Sequence, residues 1–348
     1  SNVARETTER GEHIAIVMKD RLYPFEVTAH YNSLYNDDII ESWIEVVHNE
    51  KKPVVLYRFD SSYMPIRRSD VWVSHLHGAW TAETILTSEP LENGLLEIRN
   101  TDGARNAHYA HPELMFSLDG RPSEHSGRVI GAVLCWSGNY SLRIDSDNSQ
   151  VHHFFAGMCS EASYYKLAKG EHFVTPKVAY TYSDRGIGGA SRNFHRWARN
   201  GMVHGGDKLR DILLNSWEGV YLDVNEADMV QMMEDFAQMG GELFVMDDGW
   251  FGDKYPRAKD NTSLGDWVVD KNKLPNGVNY LVEKAHENGI KFGIWIEPEA
   301  TNSVSELIEK HPDWALQVEG RQVRYGRGGT QMLLDLTNPK VQDFVFGV

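Results

Sequence analysis

Two adjacent carboxylates, Asp247-Asp248, close the run LFVM and are followed by Gly249-Trp250. Side by side they accept several hydrogen bonds within a small volume, as the vicinal hydroxyls of a sugar require. A single aspartate at a strand end usually caps or turns the chain, whereas two before Gly-Trp favour a polar site. Strand alternation should point one carboxylate toward a barrel axis and leave the other at the rim. A second acidic group, Trp295-Ile296-Glu297-Pro298-Glu299, follows KFGI. Glu297 and Glu299 could be the two carboxyl groups of glycoside hydrolysis, about 5–10 Å apart. The alternative is that a glutamate before proline orients a loop or accepts backbone N–H bonds. Trp217, in NSWE, and Trp295 each follow apolar strand residues, so either fills a core or stacks on a sugar face. Stacking is expected at both, with the stronger case at Trp295, whose flanking Phe292 and Ile294 already supply core side chains. Leu264-Gly265-Asp266-Trp267 repeats the aromatic–acid pattern and reads as structural.

Other chemistries find less support. His75-x-His77, His108-x-x-His111 and His152-His153 have ligand-like spacings but no carboxylate cluster beside them, so no metal is expected. No G-x-G-x-x-G, P-loop or G-x-S-x-G occurs, which leaves nucleotide chemistry and a serine elbow unsupported. No cofactor is expected. Lys plus Arg number 35 against 50 Asp plus Glu, a net charge of −15 that argues against binding nucleic acid or an anionic membrane. No apolar run approaches the roughly 20 residues of a membrane span, and the N-terminus lacks a signal-peptide core. Ser1-Asn2 reads as a scar left by removal of a signal or tag, so the compartment stays open. Cys135 and Cys159 allow one bridge or two buried thiols, not a disulfide scaffold. The aromatic content, 10 Trp, 15 Tyr and 13 Phe, exceeds what a core alone needs and suits sugar binding.

The elements that must hold these residues change character along the chain. From residue 11 to about 185, runs such as HIAIVM, FEVTAHY, IIESWIEVVH, VVLYRF, LLEIR, RVIGAVLCW, YSLRID and HFVTPKVAYTY are β-branched or aromatic, separated by Asn, Asp and Gly turns. They predict a large antiparallel sandwich. A helix is expected at about 188–200, then a glycine-rich linker at 201–206. Thereafter strands (212–217, 242–248, 291–297) alternate with helices. Asn225 caps the first helix and Gly240-Gly241 ends it; Gly289 closes the second; Ser303 and Glu306 fit a capping box, S-x-x-E, opening a third. MLLDL (332–336) reads as a further short strand. This is the start of a (β/α)8 barrel, whose functional loops follow its strands. The expected fold is multidomain β and α/β, a sandwich with linker helix over 1–205 and an incomplete barrel over 206–348. The 138 residues from 211 to 348 compare with about 250 in a typical barrel, so the sequence is expected to stop mid-barrel.

Taken together, NSWE (215–218), FVMDDGWFG (244–252), SLGDW (263–267), KLPNG (273–277), GIKFGIWIEPE (289–299), HPDWAL (311–316) and QMLLDLTNP (331–339) resemble glycoside hydrolase family 36, the microbial α-galactosidases. LHGAWTAE (76–83), SGNY (137–140), KGEHFVTPKVAYTYS (169–183) and NFHRWAR (193–199) resemble that family's N-terminal sandwich. The resemblance implies a β-supersandwich, a (β/α)8 TIM barrel and a small C-terminal β domain. It also implies retaining hydrolysis of terminal α-galactosides of oligosaccharides by an Asp nucleophile and an Asp acid/base. By motif, Asp247 and Asp248 would bind galactose hydroxyls, and Trp217 and Trp295 would line the subsite. Arg327 is the counterpart of a family arginine, set off from Gln331 by a longer gap than the usual pattern. The nucleophile's Lys-Trp-Asp-type motif and the acid/base are expected beyond Val348, which relegates Glu297 and Glu299 to supporting roles. The alternatives are a non-catalytic carbohydrate-binding protein and a transglycosylating relative. A homo-oligomeric full-length enzyme is left open.

Overall fold

The computed structural model describes residues 2–103, 109–161, 163–326 and 329–348. The chain forms two compact units, Ser1–Lys208 and Leu209–Val348, dividing just after Gly205-Gly206.

In the first unit, nine antiparallel strands run side by side in the order Asn2–Thr8, Gly11–Lys19, Phe25–Leu34, Ile39–His48, Val178–Ser183, Val129–Leu134, Ala110–Ser117, Trp72–His77 and Ile85–Pro90; a tenth, His172–Val174, also pairs with Ile39–His48. A four-stranded sheet, Asp60–Arg67, Val151–Met158, Tyr140–Ser146 and Gly94–Asn100, lies against it. Alternating residues of both sheets interleave: Val73, Leu114, Phe116, Leu134 and Val178 meet Ile98, Leu142, Ile144 and Phe154. Phe116 and Phe154 make an edge contact at 5.2 Å. The run HFVTPKVAYTY is two strands, because Pro176 has no N–H to donate; Thr175 Oγ1 instead accepts from Ile44 N at 2.9 Å. Helix Gly186–Trp197, continued by a π-turn to Met202, covers part of the large sheet. Cys135 and Cys159 are free, half-buried thiols, and burial pushes the Cys135 pKa up to about 11.

In the second unit, Leu213–Asn215, Leu243–Met246 and Lys291–Ile294 form a parallel sheet with Leu243–Met246 in the middle. Helices Glu226–Gln238 and Val278–Glu287 lay Met229, Met233, Phe236, Leu281 and Ala285 on Phe244 and Met246. Asn225 caps the first helix through Asp228 N. Three sequence expectations are corrected. The first barrel strand ends at Asn215, because Ser216 starts a helical turn, Trp217–Val220, that carries Trp217 out of the strand. The short strand expected over 332–336 runs instead from Gln331 to Leu333, paired antiparallel with Ala300–Asn302. The cap of helix Glu306–Lys310 is Ser305, not Ser303: Ser305 is fully buried and its Oγ accepts from Ile308 N at 3.2 Å. Ser305→Ala should therefore lower the stability of this unit by about 1–2 kcal/mol. Ser303→Ala, at an exposed side chain, should stay within about 0.5 kcal/mol. Thermal melts of the two variants check this, and equal shifts would refute it.

Candidate active site

Alternation along Leu243–Met246 decides how the two aspartates differ. Phe244 and Met246 face the helices and are fully buried, so Leu243 and Val245 face the opposite side of the sheet. Continued past the strand end, Asp247 falls on the Val245 side and Asp248 on the helix side. Asn215, paired with Val245, shares the Asp247 face, and its Nδ2 donates to Asp247 Oδ2 at 2.6 Å. Asp247 Oδ1 accepts from Asp248 N at 2.7 Å, and Asp247 N donates to Ser216 Oγ at 3.0 Å. Each carboxylate oxygen has two lone pairs, so this half-buried group, fixed at both oxygens, keeps acceptor capacity for two further donors. Asn215 Oδ1 also accepts from Trp217 N at 2.7 Å, tying the tryptophan turn to the carboxylate.

Asp248 is not at the rim. It is 4% exposed, and Arg257, itself 2% exposed, meets it with both arms: Nε to Oδ1 at 2.9 Å and Nη2 to Oδ2 at 2.7 Å. The Arg257 Nη1 donates to the carbonyls of Lys259 and Thr262 and to Asn302 Oδ1. The pair thus anchors the loop that follows the strand. Gly249 makes the turn at φ +111°, and a Cβ there would meet Leu222 O at 2.7 Å, so only glycine lets the two backbones approach. Lys273, half-buried, closes the same region by donating from Nζ to the carbonyls of Leu222, Gly249 and Arg257. Burial lowers its pKa, opposed by Asp270, Asp223 and Asp248.

Around this pair lies an aromatic group. Trp250, Phe251 and Trp267 make ring contacts at 4.6–6.1 Å, and Trp295 meets Trp267 edge-on at 6.2 Å. Trp295 follows the third strand, donates from its backbone N to Met246 O at 2.9 Å, and packs against the barrel core. Phe292 packs on the core as expected, whereas Ile294, paired with Met246 on the outermost described strand of this sheet, stays 38% exposed. Half-buried Trp217 is not among the described side chains packed on this core; its ring contact is an edge-on one with Tyr221 at 5.2 Å. Glu297 is hydrogen-bonded by Gln331 Nε2. Asp266 accepts from Glu306 N and Leu307 N, capping the next helix as its structural reading requires, and burial raises its pKa. Arg327 lies outside the described residues, as does His108. His75 and His77 pair with Glu89 and Thr87, while His152 is engaged by Ser146 and the Arg68 carbonyl. Among the described residues no three metal-ligating side chains converge.

The parallel strands thus bring Asp247, Asn215, Trp217 and Trp295 to one end of the sheet. Residues 172–348 match the Melibiase family, and residues 3–168 match the glycosyl hydrolase family 36 N-terminal domain. The chain belongs to glycosyl hydrolase family 36. This family 36 chain is 34% identical over 342 residues to alpha-galactosidase AgaA of Geobacillus stearothermophilus, covering 98% of itself and 46% of that relative. It is 31% identical over 340 residues to alpha-galactosidase Mel36A of Lactobacillus acidophilus, covering 97% of itself and 46% of that enzyme. The crystal structure of GH36 AgaA superposes with a TM-score of 0.91 at 34% identity, over 97% of this chain and 46% of that one. The chain spans about half the length of the curated relatives it matches. Its β-sandwich followed by a partial barrel is therefore the N-terminal architecture of the family.

Asn215, Arg257 and Lys273 escaped the reading of residue types. Asn215 sits in NSWE and Lys273 in KLPNG, so motif membership pointed to both. Arg257 had no such signal.

Proposed function

We propose that this chain supplies the galactose-binding part of the active site of a retaining α-galactosidase that acts on terminal α-linked galactose of oligosaccharides. The observation that carries the proposal is Asp247. A carboxylate fixed by Asn215 and Asp248 N, on the open face of the strand, retains acceptor positions for two neighbouring hydroxyls. The relatives are α-galactosidases, and variants of AgaA have been crystallised with stachyose and with raffinose. Trp217 and Trp295 would line the subsite, with Arg327 as the motif-based addition. Asp248 would shape it chiefly through Arg257.

In the full-length gene product, Asp247→Asn keeps the side-chain shape but removes the charge from its hydrogen bonds to the sugar. The expected loss is about 2 kcal/mol of transition-state binding, about 30-fold in kcat/KM on an aryl α-galactoside. A change smaller than threefold in a folded variant would remove Asp247 from the site. Galactose binding without turnover by the unmodified full-length protein would favour the non-catalytic sugar-binding alternative.

A further inference from the structure

We propose that Lys273 is a positioning residue that holds the carboxylate-bearing turn of the sugar site in its binding conformation by clamping three backbone segments at one ammonium. The proposal rests on the reading of Asp247 as a galactose contact. Lys273 Nζ lies 2.7 Å from Leu222 O, 2.7 Å from Gly249 O and 3.0 Å from Arg257 O. An ammonium has three donors, and here each has one carbonyl. Gly249 immediately follows Asp248, and Arg257 is the residue whose side chain returns to Asp248. The ammonium therefore fixes both ends of the loop 249–257 as the Asp248–Arg257 ion pair closes it from within. Leu222 belongs to the segment after the Trp217–Val220 turn, so the same ammonium ties the loop after the first barrel strand to the loop after the second.

Lys273 is itself held by backbone. Its N donates to Asp270 O at 3.2 Å, and its carbonyl accepts from Glu226 N at 3.0 Å, at the start of helix Glu226–Gln238. The backbone that carries the stem is therefore anchored at a helix N-terminus. A carbonyl is a weaker partner than a carboxylate for a lysine, and three carbonyls in place of water leave the charge only partly compensated. A site that must present Asp247 at one fixed angle needs the backbone on both sides immobile.

The test uses the full-length gene product with Lys273→Met, which keeps an unbranched stem and removes all three donors. Galactose affinity is measured by calorimetry, and amide hydrogen exchange is followed at 248–258 and, as a control, at Leu243–Met246. The expected result is a loss of at least tenfold in galactose affinity with faster exchange at 248–258 and unchanged protection in the strand. Wild-type affinity, or loss of protection in strand and loop together, would overturn the proposal. Should Lys273→Met fail to fold, Lys273→Arg keeps the charge, but its planar fork does not place three donors at one point. A folded Lys273→Arg protein with weakened galactose binding and faster exchange at 248–258 supports the clamp; one with wild-type values in both overturns it. If the unmodified protein binds no galactose, the reading of the site fails. The clamp is then judged by exchange alone, and unchanged exchange at 248–258 in the variant overturns it.

Discussion

Replacing Arg257 by methionine should destabilise the barrel unit by about 3–5 kcal/mol, the range found when one partner of a buried ion pair is removed. Methionine fills much of the arginine stem's volume, so the loss measures charge and hydrogen bonding more than a cavity. It leaves the 4%-exposed Asp248 without its counter-charge and orphans the carbonyls of Lys259 and Thr262 and the Asn302 Oδ1. Asp248→Asn should fall in the same direction, because it strands a guanidinium that is 2% exposed. Combining Arg257→Met with Asp248→Leu should recover part of the loss, since paired apolar replacements avoid the unpaired buried charge. The chain has two units, so a single global transition is not assumed. Native-state hydrogen exchange at Leu243–Met246 reports the barrel unit alone. A change below 1 kcal/mol in Arg257→Met would show that solvent or a rearranged loop satisfies Asp248. The consequence for function is direct. Loss of sugar affinity in an Asp248 variant measures a direct contact only after its stability loss has been determined.

Much of the architecture was legible because burial leaves a compositional trace. Runs such as FEVTAHY and RVIGAVLCW carry the β-branched and aromatic residues of half-buried strands. The stripe of Met229, Met233 and Phe236 marks a helix against Phe244 and Met246. Strands without that trace were missed. Asn2–Thr8 is exposed at every position and is held by backbone pairing with Gly11–Lys19. Asp60–Arg67 opens with three polar residues, Asp60, Ser61 and Ser62, and carries Pro65 in its interior. The Ser303 assignment failed because S-x-x-E is a local pattern, while the true cap depends on where the chain leaves its bridge to Gln331–Leu333. At the candidate site, Asp247 and Asp248 stood out by type and spacing, and strand alternation set them on different sides, but the burial of Asp248 in an ion pair left no sign. That burial depends on Arg257, which arrives through an irregular loop, and the anchoring of the loop on Lys273, whose three partners are carbonyls present in any sequence. Backbone acceptors have no signature in residue type.

The two tryptophans should separate when each is cut to alanine, in the opposite order to the one strand sequence suggests. Trp295 packs on the barrel core and edge-on against Trp267, while its carbonyl accepts from Trp250 Nε1 at 3.0 Å. Full burial would make its removal cost about 3–5 kcal/mol; half-burial reduces this to about 2–3 kcal/mol. Trp217 sits on a helical turn, with Asn215 linking its backbone to Asp247 and one edge contact to the exposed Tyr221. Its indole can offer a face to a sugar with little effect on packing. Covering about 50 Å² of apolar surface at about 25 cal/mol per Å² is worth about 1.2 kcal/mol, a little under tenfold in affinity. Trp217→Ala should thus weaken galactose binding by nearly tenfold and change stability by less than about 1 kcal/mol. Trp295→Ala should lower the stability of the barrel unit first, with affinity in the remaining folded protein reduced less. Calorimetric titration with galactose and hydrogen exchange at Leu243–Met246, made on both variants of the full-length gene product, separate these outcomes. If Trp217→Ala destabilises the unit by 3 kcal/mol and keeps its affinity, Trp217 belongs to the core. If Trp295→Ala loses affinity at unchanged stability, the stacking face lies after the third strand and the contacts of Trp295 with the core add little to stability.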